Sequence, residues 1–341
     1  MTHPNDRAIR EIGRRAARNV VGLLGVGYER PLIAAVSGGA DSSAMLVLLA
    51  DTSARHGWSL RAAHVDHQIQ SESVREMFRS SSRQLAVLAG VPYHVAEADA
   101  PSEAERASGG LEAAARAVRY RALKEVALDC GAPAIVVAHT RDDQAETVLL
   151  HMIRGSGLDG LSGMPAVRDL GDGVRLGRPL LDVTRAETVA VCEAYGVTPA
   201  EDPSNDEPAY TRNRVRQSLL PMLESFNPNI AERLAELAKS VGADRELLEL
   251  VGSQTLEQVR GASGELARRQ FLALPGQLQV RVIRSLCAEQ GITLTAERTA
   301  AALQVILHGH GVVELSGGHH LTVARGTIAL VPPCPPEDVA G

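Results

Sequence analysis

Six consecutive residues, Ser37-Gly38-Gly39-Ala40-Asp41-Ser42, combine the groups that a phosphate chain needs. Two adjacent glycines let backbone N–H groups turn toward an anion and approach it closely. A helix starting just after them adds unpaired donors and the positive end of its dipole. Ser37 and Ser42 offer hydroxyls to the same phosphates. No lysine follows the glycines, so this is not the Gly-x-x-x-x-Gly-Lys-[Ser/Thr] loop. Asp41 beside a phosphate is repulsive unless a divalent cation lies between them, which points to magnesium. The competing reading is a tight strand-to-helix turn in which Asp41 or Ser42 serves only as an N-cap.

Four further clusters carry chemistry-bearing side chains. Glu112, Arg116 and Arg119 are spaced i, i+4 and i+7 and share one helix face. The arginines suit an α-phosphate or an RNA backbone; the alternative is a solvated Glu-Arg face. Asp142, Asp143 and Glu146 open another helix, where acids favour the dipole with no further role. Asp143 and Glu146 face the same way, so a single cation or ammonium site is the sharper reading. Arg212, Asn213, Arg214 and Arg216 suit RNA or nucleotide phosphate, or form a surface group opposite Glu201, Asp202 and Asp206. His64, Asp66 and His67 offer a metal or acid–base cluster, or hydrogen-bonded structural groups. That turn, and His139 likewise, is placed near an adenine or ribose without a catalytic role. The stretch Gly155–Gly163 is rich enough in glycine to close over a substrate, or simply to be flexible.

Each of these clusters needs an element to hold it. Leu32–Val36, Leu60–Val65, Tyr93–Val95 and Ile135–Ala138 read as short apolar strands, and 42–56, 72–89, 111–129, 142–154 and 182–195 as helices. Apolar strands alternating with helices predict a doubly wound α/β domain on a parallel sheet covered on both faces. Ligands then bind beyond the carboxyl ends of the strands, where the clusters begin. Residues 7–25 read as an amphipathic helix with Arg7, Arg10, Arg14 and Arg18 on one face and Ile9, Ile12, Ala16 and Val20 on the other. After about 222 the texture turns to Ala/Leu/Glu/Arg helices over 229–253, 264–273, 276–290 and 295–307. A β-hairpin follows (Val312–Leu315 and Leu321–Ala324), then Ile328–Val331 and a Pro-rich tail. The expected organisation is 1–222 as a catalytic domain and 223–341 as a smaller, mainly helical domain.

Composition narrows the setting. The 341 residues are 45% hydrophobic and 22% charged, as in ordinary globular chains, with a net charge of −6. That charge argues against indiscriminate coating of nucleic acid, though not against a local basic surface for one folded RNA. Lys124 and Lys239 are the only lysines, so fixed cationic contacts fall to arginine, whose planar fork binds phosphate bidentately. Cys130, Cys192, Cys287 and Cys334 form no Cys-x-x-Cys pair, against a zinc ribbon, an iron–sulfur site or a disulfide framework. A polar N-terminus and the lack of an 18-residue apolar run predict a cytoplasmic protein without a membrane span.

Strand-Ser-Gly-Gly-x-Asp-Ser resembles the signature of the N-type ATP pyrophosphatases, the PP-loop superfamily, whose members cleave ATP between the α and β phosphates and adenylate a substrate oxygen. The wider set narrows this: His64-Val-Asp-His67, Gly110–Arg121, Ala138–Thr147, Arg154-Gly-Ser-Gly157, Gly160–Met164, Arg178-Pro-Leu-Leu181, Asp202-Pro-Ser-Asn205 and Tyr210–Arg216. In that order, over about 30–220, it is similar to the tRNA(Ile)-lysidine synthetase family. The additional C-terminal domain of that family's longer members is not expected in this sequence. The resemblance implies an adenine nucleotide alpha-hydrolase-like fold and a two-step reaction. O2 of the wobble cytidine (position 34) of a CAU-anticodon isoleucine tRNA is adenylated by ATP, and free L-lysine then displaces AMP at C2.

On this reading Asp41, Asp143, Glu146 and Arg116 are expected in catalysis. Ser37, Gly38, Gly39, Asp41, Ser42, His64, Arg116, Arg119 and His139 are expected around ATP, with Mg2+ on Asp41 and Asp143. Glu112, Arg212, Asn213, Arg214 and Arg216 are expected against the tRNA, the C-terminal domain is expected to contact it too, and a homodimer is one option for the assembly. The rival readings are a PP-loop tRNA 2-thiolation enzyme, which would want paired cysteines, an ammonia-using synthetase, and a non-catalytic adenine-nucleotide-binding protein.

Overall fold

The computed structural model describes residues 6–24, 30–106, 110–200, 211–261 and 264–333. Helix α1 (Arg7–Leu24) buries Ile9, Ile12, Ala16 and Val20 and leaves Arg7, Arg10, Arg14 and Arg18 exposed. Strands and helices then alternate: β1 (Pro31–Ala35), α2 (Ala40–His56), β2 (Ser59–Asp66), α3 (Glu72–Ala89), β3 (Tyr93–Glu97), α4 (Ala100–Arg106), α5 (Gly110–Asp129), β4 (Ala134–Val136) and α6 (Arg141–Ile153). The short helix α7 (Leu158–Leu161), β5 (Val167–Asp169), β6 (Arg175–Gly177) and α8 (Arg185–Tyr195) follow.

The sheet order is β3-β2-β1-β4-β6-β5, parallel except for β5, which runs antiparallel to β6. Because strand side chains alternate between faces, β1 serves two cores. Leu32, Ala34 and Val36 pack with Met45, Leu46 and Leu49 of α2 and with Val191 of α8. Ile33 packs on the other face with Val65, Leu123, Ile135 and Leu176. The expected doubly wound sheet is therefore present, and its order reverses between β1 and β4, opening a crevice at their carboxyl ends.

Two of the six strands had no sequence signal. β5 and β6 are three residues each, too short for a period to register, and they are held by pairing, β6 with β4 and β5 with β6. The Gly-rich stretch after α6 is also more ordered than an open loop. It wraps α7, and His151 Nδ1 donates to Gly160 O at 2.6 Å. Gln144 clamps Met164 in both directions, at 2.8 and 3.0 Å.

The chain divides into two compact units, 1–242 and 243–341. Within the first, a helical run comprises α9 (Thr211–Arg214), a π turn (Val215–Leu219) and α10 (Leu220–Phe226); α11 (Ile230–Val259) follows and continues past the division. Val215, Leu220, Leu234 and Ala238 pack on Ala145, Val148 and Leu149 of α6, which fixes the run against the acid-bearing helix. The second unit has its own core around Phe271, Ile283 and Ile306. It holds β7 (Leu266–Ala267), α12 (Arg268–Leu272), α13 (Gly276–Ala288), α14 (Ala296–His308), β8 (Gly311–Glu314), β9 (His320–Ala324) and β10 (Thr327–Val331). The expected helix over 264–273 starts instead as β7, because Leu266 pairs with Ile328, and the hairpin is part of a four-stranded sheet. No helix among the described residues is long and apolar enough to cross a membrane.

At the end of β2, the carboxylate of Asp66 is 3% exposed and accepts from Arg75 Nε (2.8 Å), Arg75 Nη2 (2.9 Å) and Arg79 Nη2 (2.6 Å). This cluster ties β2 to α3. Burial would raise the Asp66 carboxyl, but the two guanidiniums and the Gln68 N–H outweigh it and hold it far below the usual range. A carboxyl depressed in the folded state contributes stability fully above its unfolded pKa and loses it as pH falls toward the folded one. Asp66→Asn should therefore cost about 2 kcal/mol at pH 7. Urea melts should show the gap to wild type constant above about pH 5 and closing below about pH 4.

Candidate active site

The loop leaving β1 is held by its own hydroxyls. Ser42 Oγ accepts from Ser37 N (3.2 Å), donates to Gly39 O (3.0 Å) and lies 3.1 Å from Ser37 Oγ. Gly38 O accepts from Ala200 N at 2.9 Å. Gly39 is the N-cap of α2 and no side chain caps the helix, so Asp41 and Ser42 are not there as caps. Gly38 sits at φ +92°, and a Cβ on it would meet Phe78 Cδ1 at 3.2 Å. The helix start is thus open to an anion, as an anion-binding nest requires.

Beyond the loop lies a cavity of about 210 Å³ lined by Ser37, Asp41, Ser42, His67, Arg119 and His139 among others. Burial, then the charge of Arg119, pushes His67 down to about 4. Burial, with Arg178 next, pushes His139 well below its usual value. Both imidazoles are neutral near pH 7, and the buried Nδ1 of each has no hydrogen-bond partner among the described residues. His64 is turned away from the cavity: its Nδ1 lies 2.9 Å from Val36 O and 3.2 Å from Ser82 Oγ.

Beside the cavity, three carboxylates meet three guanidiniums. Glu146 is 0% exposed and bonds Arg212 Nε (2.9 Å), Arg216 Nε (2.6 Å) and Arg216 Nη2 (3.0 Å). Arg185 reaches Asp41 Oδ2 (3.5 Å), Asp143 Oδ1 (3.2 Å) and Glu146 Oε1 (3.7 Å). Asp143 Oδ1 also lies 3.7 Å from Arg212 Nη2 and 3.5 Å from Arg216 Nη2. Its Oδ2 closes a capping box with Thr140, which fixes the side chain. Burial opposes the charge on Asp143, but Arg185 leads the groups that hold its carboxyl low. Asp41 differs: burial pushes its carboxyl up, only partly offset by the Thr188 hydroxyl at 2.5 Å and by Arg185. It is the acid in greatest need of a further cation.

The structure brings the loop, Asp41, Asp143, Glu146, Arg119, His139, Arg212 and Arg216 to one end of the sheet. Arg116 stands one turn along α5, over the Tyr120 ring. Asn213 is half-buried and Arg214 exposed. The side chain of Glu112 lies outside the described residues, as do Glu201, Asp202, Ser204, Asn205, Asp206 and Tyr210. Sequence reasoning missed Arg185 and Thr188. Their only local signal is the capping box of Thr184 and Glu187, which opens α8 and lets both side chains face α2. α1 braces this segment, with Arg15 Nη1 3.3 Å from Glu187 Oε1 and Asn19 Nδ2 donating to Pro179 O at 2.9 Å.

A family model described as a PP-loop domain matches residues 13–223. The chain is similar to the tRNA(Ile)-lysidine synthase of Salinispora arenicola, 39% identical over 317 residues that span 90% of this chain and 92% of the relative. The enzyme of the same name from Thermosynechococcus vestitus is 37% identical, covering 89% of this chain and 87% of its own length. Among solved structures, a U34-tRNA thiolase from Methanococcus maripaludis superposes with a TM-score of 0.58 at 17% identity, over 69% of this chain and 80% of that one. That likeness bears on the fold alone.

Gly38 and Gly39 separate by geometry. Gly38→Ala forces a side chain into the left-handed region, at about 1–2 kcal/mol, and onto Phe78. Gly39, at φ −74°, has room for a Cβ, its nearest neighbour being Ser37 Oγ at 3.7 Å. Thermal melts should therefore show a clear loss for Gly38→Ala and little change for Gly39→Ala.

Proposed function

The chain belongs to the PP-loop family and, within it, to the tRNA(Ile)-lysidine synthases, an ATP-dependent ligase family, and from that membership we propose that it joins free lysine to C2 of the wobble cytidine of CAU-anticodon isoleucine tRNA. The observation that carries this reading beyond membership is the network of Asp41, Asp143 and Glu146 with Arg185, Arg212 and Arg216 beside the loop. A mere nucleotide-binding site has no use for three buried or half-buried carboxylates next to its phosphate seat.

In the first step cytidine O2 attacks the α-phosphorus and pyrophosphate leaves. Such attack depends on positioning and charge neutralisation more than on covalent chemistry. The N–H groups at the start of α2 and the Ser37 and Ser42 hydroxyls are the donors for the leaving pyrophosphate. Asp41 and Asp143 fit Mg2+: their oxygens converge on one guanidinium, and two carboxylates plus phosphates and waters make a customary magnesium set. The ion would neutralise phosphate charge, and Arg185 is the protein cation nearest that position.

In the second step the lysine amine attacks C2 and AMP leaves. The three acids and three guanidiniums balance, so an incoming ammonium requires one arginine to turn away. All three arginines are partly exposed, and phosphate is a natural alternative partner for each. Glu146 and Asp143 would then hold the ammonium, and the ε-amine attacks only after passing its proton to a carboxylate or to water. The described cysteines Cys130, Cys192 and Cys287 are all unpaired, which suits a reducing cytoplasm. The second unit is proposed as a further tRNA contact.

Purified protein with ATP, magnesium, labelled lysine and the CAU-anticodon tRNA should form AMP in a lysine-dependent way and place the label in the tRNA. Glu146→Gln should lower kcat/KM for lysine by roughly 100-fold, about 2.7 kcal/mol. Pyrophosphate release with no lysine in the RNA would sink the proposal.

A further inference from the structure

Tyr120 lies on α5 with 7% of its surface exposed, and three guanidiniums stand over its ring. Their distances to the centroid are 5.1 Å for Arg119, 5.2 Å for Arg116 and 5.9 Å for Arg168. A fourth, Arg178, is 2% exposed and donates through Nη1 to Pro165 O at 2.6 Å. The buried Nε atoms of Arg119 and Arg178 have no hydrogen-bond partner, and none of the four arginines is ion-paired among the described residues. Arg178 is buried and Arg116 and Arg119 are half-buried, and arginines so placed are ordinarily matched to acids. Here the matching role falls to an aromatic face, which attracts cations without neutralising them. The unrelieved charge also registers on its neighbours. Burial and then Arg178 lower His139, and burial would raise Tyr120 but Arg119, Arg116 and Arg178 bring it down.

We propose that this cluster is a second phosphate seat, separate from the loop after β1, and that Tyr120 is its positioning residue. Guanidiniums gathered around one ring with no described acid paired to them suit a phosphate oxygen pair. The seat runs from Arg119, in the cavity wall, out to Arg168, which is exposed on the edge strand β5. A phosphodiester of the RNA beside its target base can follow such a path from solvent into the cavity. The pyrophosphate end of ATP already has donors of its own in the loop. The inference rests on the reading of RNA as substrate, and direct binding keeps the two separable.

The test measures ATP affinity without tRNA, and tRNA affinity without lysine across a salt series, for Arg168→Ala, Tyr120→Leu and Tyr120→Phe. Both Arg168→Ala and Tyr120→Leu should weaken tRNA binding about five- to tenfold, with Arg168→Ala lowering the slope of log affinity against log salt by about one. Tyr120→Phe keeps the π face and should stay within about twofold of wild type. Loss of ATP affinity with tRNA binding intact would assign the same seat to the nucleotide's α-phosphate. Unchanged binding of both ligands by folded Arg168→Ala and Tyr120→Leu would overturn the proposal, and if the leucine variant fails to fold, the exposed Arg168 position decides alone. Wild-type protein that binds tRNA but incorporates no lysine would instead count against the functional reading.

Discussion

Glu146 is a carboxylate with no solvent contact, and the rest of the site depends on the guanidiniums that pair with it. Removing such a group from water costs several kcal/mol, which only close, well-oriented counter-charges can offset. Arg212 and Arg216 supply three hydrogen bonds to Glu146 from a helical run far along the chain. Arg185 supplies a third cation from the segment after β6. One buried acid on α6 therefore dictates where two other segments must lie. The π turn at Val215–Leu219 sits in the same run, with Arg216 inside it. Such turns recur where a helix must redirect side chains toward a site.

The same network reaches the nucleotide loop through Arg185. Its guanidinium bridges Asp41 at the start of α2 to Asp143 at the start of α6. Those helices leave β1 and β4, the two strands between which the sheet order reverses. Topology thus makes a crevice, and a single arginine joins its two walls. Around it the imidazoles of His67 and His139 stay neutral, so positive charge in the cavity belongs to arginine alone. An anionic substrate meets fixed cations that pH does not switch, while the loop offers hydroxyls and backbone donors that need no protonation.

Much of this was legible from sequence, for local reasons. The apolar run Leu32–Val36 followed by glycine specifies strand, tight turn and helix at once, because Gly38 takes its φ of +92° more cheaply than any residue with a Cβ. Asp143 and Glu146 could be paired from their i, i+3 spacing. Arg185 could not, since no period links position 185 to 41 or 143; only the folded sheet brings them together. β5 and β6 escaped because three-residue strands are set by their neighbours rather than by their own pattern. His64 shows the reverse limit. Its place at a strand end suggested a ligand contact, yet the alternation along β2 turns it onto Val36 O and Ser82.

The central claim is that the carboxylates and arginines act as one unit rather than as independent contacts. A double-mutant cycle on Glu146→Gln and Arg216→Gln, read through kcat/KM for lysine, measures that directly. The account predicts a coupling of at least about 1 kcal/mol, because each single change already breaks the shared geometry. Effects that add to within about 0.5 kcal/mol would contradict it.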